Sequence, residues 1–194
     1  MTASTPEQPL VLRDAVAWRG WLLEHEAHSD GEWLALAKKN TLEPTSLSYQ
    51  DALEEALCSG WIDGQRRSRD AGTFLQRFTP RRPRSIWSQR NVSIIARLEE
   101  DGRMRERGRA EVERAREDGR WDAAYAGPAT AEAPRELMTA LAEDDAARAA
   151  FEALSRSARY SVLHPVLSAR GDGARERAIA RALLRLRGER PTTR

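Results

Sequence analysis

The sequence predicts an α+β protein, predominantly α-helical, with a small central β-hairpin or sheet element and a C-terminal helical subregion. Three observations carry this. Two strand-friendly runs, Trp61–Arg67 (WIDGQRR) and Thr73–Thr79 (TFLQRFT), flank the turn-like Asp70-Ala71-Gly72. Before and after them, apolar residues recur at helical spacing. Beyond Pro134, four successive segments read as helices.

The elements follow in order. Residues 1–9 carry two Pro among polar residues and are expected to be a disordered tail. Arg13–Ala27 forms an apolar helical stripe through Val16, Trp18, Trp21, Leu22 and Leu23. Glu32–Ala37 (EWLALA) is a short apolar run between turn signals, the pattern of a buried strand. Ser48 is an N-cap for a helix ending at Cys58, with Asp51 three residues on as its capping-box partner. Ala52, Leu53, Ala56 and Leu57 are the apolar face of that helix, and Gly60 stops it.

After the hairpin, Pro80–Arg84 is held extended by its two prolines. A helix runs from Ser85 to about Glu100, with Ile94, Ile95 and Leu98 inward. Arg105–Asp118 is laced with opposite charges at helical spacing and reads as a solvent-facing helix. Residues 123–134 form a loop, so the chain divides into a core over 10–133 and a helical subregion over 134–190. In that subregion the helices are 135–142, 144–155 and 156–163, with Pro165 kinking or ending the third. The last helix, 174–187, has a stripe of Ile179, Ala182, Leu183 and Leu186. Arg177, Arg181 and Arg185 lie on another face, the pattern of a solvated ladder.

Composition excludes several classes. The chain has 194 residues, a mean hydropathy of −0.68 and 32% charged residues. Its longest stretch free of Asp, Glu, Lys and Arg is Tyr160–Ala169, ten residues. A membrane-spanning helix needs about 20 apolar residues, so no membrane insertion is expected. The start, MTASTPEQPL, lacks the basic and apolar regions of a secretory signal. A single cysteine excludes an internal disulfide. These features lead to the expectation of a cytoplasmic protein.

Charge is unevenly spread. Residues 1–59 hold four basic and ten acidic residues, a net of −6. Residues 60–97 hold nine Arg and two Asp, a net of +7, and the remainder is nearly neutral. A basic segment attracts phosphate, nucleic acid or carboxylate, unless it is paired with the acidic N-terminal third. Within it stand the candidate ligand-binding residues Trp61, Asp63, Arg66, Arg81, Arg82, Trp87, Arg90 and Asn91, joined by Trp121 and Tyr125 if the fold brings them in. Arg offers a planar fork for carboxylate or phosphate, and Trp offers contact area and a cation–π face. The competing reading is a structural core with Trp packed under Arg stems and Asp63 paired to Arg66 or Arg90.

Other constellations are weaker. Cys58 lies at a predicted helix C-terminus, where the dipole disfavours a thiolate, and reads as a small buried residue. His25, Glu26 and His28 lack the i, i+4 histidine spacing of a zinc helix and read as polar residues at a helix end. No Gly-Lys-Ser/Thr and no Gly-x-Ser-x-Gly occurs, and Gly171-Asp172-Gly173 lacks its third glycine. No catalytic motif, metal site or cofactor is therefore expected.

Several blocks are long and distinctive: GEWLALAKKN, SYQDALEEALCSGWIDGQRR, FLQRFTPRRPRSIWSQRN, GRWDAAYAGPAT, and the tail from FEALSRSARYSVLHPVL to ARERAIARALLRLRGE. Together they resemble the YdeI/OmpD-associated proteins, also called bacteriocin-protection proteins. The resemblance implies a small bacterial cytoplasmic protein with a role in tolerating bacteriocins or cationic antimicrobial peptides, and no established reaction. Where that family usually carries a Thr-Arg pair, this chain has Ala174-Arg175.

Three functions are thus in play. The first is a stress-protection protein binding a small anionic ligand or peptide through the Trp/Arg block; if that block is core instead, function lies in a protein partner. The second is a single-stranded nucleic-acid binder, which the acidic N-terminal third disfavours. The third is an enzyme acting on a small anionic substrate through Asp63 or Tyr125.

Overall fold

The computed structural model describes residues 8–127, 130–169 and 171–189. Among the described residues the chain forms two compact units, one over 8–85 and 91–122, the other over 86–90 and from 123 to 189. The fold is α+β and predominantly helical, with a three-stranded antiparallel sheet in the first unit.

In the first unit the order is α1 (Ala15–His25), β1 (Glu32–Ala37), α2 (Tyr49–Cys58), β2 (Trp61–Ser68), β3 (Thr73–Pro80), α3 (Gln89–Glu100) and α4 (Glu106–Glu117). The hairpin of β2 and β3 forms where the sequence predicts it. β1 joins it on the far side, giving the order β1-β3-β2. Glu32 lies opposite Phe78, and Trp61 opposite Pro80.

The register of β2 against β3 shifts between Asp63 and Arg66, around Gly64 and Gln65. A bulge of this kind takes residues out of the ladder. The buried Gln76 side chain meets the carbonyls there, with Nε2 donating to Gly64 at 3.0 Å and to Gln65 at 3.2 Å. The free edge of β1 is covered as well. Leu10 exchanges backbone hydrogen bonds with Trp33 and Ala35, and Ala37 donates to the Leu47 carbonyl. Covering an edge removes a template for unwanted strand pairing.

α1 starts at Asp14, whose side chain accepts from Ala17 N–H, and α2 starts at Ser48, which accepts from Asp51 N–H. Both satisfy N–H groups that a helix start leaves open. α1 lays Trp18 and Trp21 over the sheet. Trp18 stands edge-on to Trp61, 6.2 Å between ring centres, and tilted against Phe78 at 5.8 Å. Trp18, Trp61 and Phe78 are fully buried.

Three elements differ from the sequence expectation here. In α1 only Trp18 and Leu22 of the expected stripe are buried, while Val16 and Leu23 are 69% and 59% exposed. α3 starts at Gln89, not Ser85, because the backbone before it is strand-like: Tyr125 N–H donates to Trp87 C=O, and Gln89 N–H to Tyr125 C=O. α4 is not simply solvent-facing. Its charge lacing masks a buried strip of Gly108, Glu111, Val112 and Ala115.

The second unit contains α5 (Arg135–Ala142), α6 (Asp145–Ala153), α7 (Arg156–Leu167) and α8 (Asp172–Leu186). Its core is Leu137, Leu141, Ala147, Phe151, Val162, Leu163, Val166, Ala178 and Ala182. α7 continues through Pro165 to Leu167. Proline removes one helical hydrogen bond and costs about 3 kcal/mol in a helix interior. Burial of Val162, Leu163 and Val166 around it offsets that cost. The carbonyl that Pro165 leaves without its helical donor belongs to Ser161, and Arg185 Nη1 lies 3.5 Å from it. The Gly173-Ala174-Arg175 segment lies in the first turn of α8, where Arg175 pairs with Glu136 at 3.3 Å. No helix among the described residues is long and apolar enough to cross a membrane.

Candidate anion-binding site

α2 is buried from Ala52 to Cys58, and two glutamates lie inside that stretch. A carboxylate can be buried only if charged partners and hydrogen bonds replace its water. For Glu55, 1% exposed, three arginines do so. Arg19 of α1 grips it as a fork, Nε on Oε2 at 3.0 Å and Nη2 on Oε1 at 2.7 Å. Arg103 Nη2 adds a bond at 3.0 Å and Arg105 Nη1 another at 3.0 Å. Arg105 Nε also donates to Ser59 Oγ at 2.9 Å. Glu54 accepts from Gln50 Nε2 at 2.9 Å, from Arg103 Nη1 at 2.7 Å and from Arg97. Arg103 therefore bridges the two neighbouring carboxylates.

Burial alone would raise the Glu55 pKa, but the bonds from Arg19, Arg105 and Arg103 outweigh it and hold the carboxyl at about 2. Glu54 is lowered too: its burial is overcome by Gln50, Arg103 and Arg97. The Arg19 pKa is raised by its bond to Glu55. Both carboxylates are thus ionised throughout the neutral range. Cys58, beside them at the end of α2, is fully buried, and burial pushes its thiol up, away from a nucleophile's range.

Four guanidinium charges meet two carboxylates, leaving a local surplus of two positive charges. Arg19, Glu55, Gly102, Arg103 and Arg105 line a hollow of about 370 Å³. Arg19 and Arg103 are 46% and 35% exposed, so a ligand can reach them, while Arg105 is 17% exposed. Glu55 acts as a clamp from beneath, holding the guanidiniums oriented before any ligand arrives. The Arg19 Nε/Nη2 edge is taken by Glu55, which leaves its Nη1 edge, already oriented, to meet a carboxylate or phosphate without paying first to order the side chain.

The residues singled out from the sequence are distributed differently. Trp61 is fully buried, and Trp21 also packs edge-on against it, 5.9 Å between ring centres. Asp63 accepts from Tyr49 O–H at 2.8 Å. Arg66 lies 3.9 Å over the Phe74 ring at the surface. Arg81 is buried and donates its backbone N–H to Gly60, whereas Arg82 is exposed. Asn91 is buried in the first turn of α3, and Trp121 lies beneath Arg116 at 4.9 Å. These seven belong to the first unit. Trp87, Arg90 and Tyr125 belong to the second: Trp87 is buried, Arg90 is exposed, and Tyr125 packs edge-on against His164 at 4.9 Å.

Sequence reasoning missed Arg19, Arg103, Arg105, Glu54 and Glu55. One signal for them existed. Glu54-Glu55 interrupts an otherwise apolar ALEEALC with no Lys or Arg three or four residues away on its own helix. Their counter-ions had to come from elsewhere in the chain. His25, weighed as a metal ligand, stacks on Trp21 at 4.6 Å with Nδ1 2.8 Å from the Trp21 carbonyl. Among the described residues no group of three or more His, Cys, Asp or Glu is placed to hold a metal ion.

Two family models match the chain. One, a domain of unknown function (DUF8412), matches residues 10–111, more than half of the sequence and the part containing the arginine hollow. The other, described as bacteriocin-protection, YdeI or OmpD-associated, matches residues 130–188. The YdeI/OmpD-associated likeness therefore rests on the C-terminal helices. No curated protein and no solved structure matches the chain.

Proposed function

The chain belongs to the DUF8412 family through residues 10–111 and carries a YdeI/OmpD-associated domain at 130–188, and from this we propose a cytoplasmic stress-protection protein whose first unit binds a small anion. The ligand is a carboxylate or phosphate compound held by Arg19 and Arg103 over the Glu55 clamp. One observation carries the reading: three arginines converge on one hollow with a surplus of positive charge.

Arg66 and Arg82, both exposed in the same unit, are a second surface for the same ligand class. Neither makes an ion pair with a carboxylate among the described residues. Melting curves with citrate or inorganic phosphate, matched for ionic strength with chloride, test the reading. A ligand that binds only the native state raises the melting temperature. The expected result is a saturable rise that is lost in Arg103→Gln. Equal curves in chloride, citrate and phosphate would refute it.

A further inference from the structure

The second unit has a cavity of its own, about 340 Å³, within the size range of small-molecule sites. Its walls include Met138, Leu141, Phe151 and Leu163. Met138 is 49% exposed, and a methionine at such a place adapts to differently shaped apolar ligands. Arg148 and Arg159 also line the cavity.

The two arginines differ. Arg148 is paired with Asp145 at 2.6 Å. Arg159 makes no ion pair among the described residues. Its Nη2 donates to the Glu152 backbone carbonyl at 3.0 Å, and its guanidinium lies 5.2 Å over the Phe151 ring. Its Nε is out of water and has no acceptor among the described residues. Glu152 is the one carboxylate among the lining residues. An apolar cavity with one guanidinium in its wall that makes no ion pair among the described residues complements an apolar body with a single anionic head.

We propose that this cavity is a binding site for small amphipathic carboxylates, the apolar part seated on Met138, Leu141 and Leu163 and the carboxylate on Arg159. The site is independent of the arginine hollow in the first unit and takes a different ligand class. The full chain is titrated by calorimetry with decanoate, with decanol, which lacks the charge, and with acetate, which lacks the tail.

Decanoate is expected to bind, and decanol and acetate to bind at least tenfold more weakly. Arg159→Gln is expected to lose at least tenfold for decanoate. Ala142→Phe, at an exposed position of the lining, is expected to block binding with an unchanged melting temperature. Arg103→Gln is expected to bind decanoate normally. Absence of decanoate binding, equal binding of decanol, or normal binding by Ala142→Phe would each overturn the proposal. Loss of decanoate binding in Arg103→Gln would overturn it too, by assigning the ligand to the other hollow.

Discussion

Gly108 and Cys58 meet so closely that a Cβ on the glycine would stand 2.2 Å from the cysteine's carbonyl oxygen. The obstacle is backbone at the end of α2, which cannot swing aside like a side chain. α4 therefore crosses α2 at the one position where it has no side chain.

Gly108→Ala tests that crossing. Within an exposed helix the change from Gly to Ala stabilises by about 1 kcal/mol. Here the clash reverses the sign, and a loss of about 1–3 kcal/mol is expected, as for other overpacked sites. Urea denaturation of the two proteins reads it. A more stable variant would mean that α4 does not pack as described.

Glu55→Gln removes the charge from beneath three arginines. Breaking a buried ion pair by removing one partner costs roughly 3–5 kcal/mol, because the remaining charges are left uncompensated. Arg19 and Arg103 are partly exposed and regain some water, so a loss of about 2–3 kcal/mol is expected. The same denaturation experiment checks it.

The low pKa of Glu55 also sets a pH dependence. Its ordinary value is about 4.5, and in the folded protein it is about 2. The unfolded chain therefore binds the proton more readily, and the stabilisation is fully present above about pH 5. It is lost as pH falls from there toward 2, by an amount on the order of 3 kcal/mol. Unfolding midpoints measured from pH 7 down to pH 2.5 should fall in the wild type, and less steeply in Glu55→Gln. Parallel curves would assign the acid sensitivity to other carboxylates.

Much of the fold was legible in the sequence because its signals are local. The capped start of α2, the turn between β2 and β3, and the apolar run of β1 each lie within a few residues. The pairing of β1 with β3 was not, because the partners are some forty residues apart and period-2 patterning does not name a partner. α4 was misread because its buried strip is made of Gly108, Ala115 and Val112, which a charge-laced pattern hides. Pro165 reads as a helix end from its own chemistry, and only burial of its neighbours overrides that.

The arginine hollow was illegible for a related reason. Arg19, Arg103 and Arg105 lie 36 to 50 residues from Glu55 in sequence. Local charge counting drew attention instead to the basic segment at 60–97, whose Arg81 and Trp61 turn inward.

The most direct measurement is calorimetric titration of citrate into the wild type, Arg103→Gln and Arg82→Ala, at low and high salt. The account predicts saturable binding by the wild type and by Arg82→Ala, at least tenfold weaker binding by Arg103→Gln, and weakening by salt. Normal binding by Arg103→Gln, with loss in Arg82→Ala, would contradict it and move the site to the exposed arginines of the basic segment.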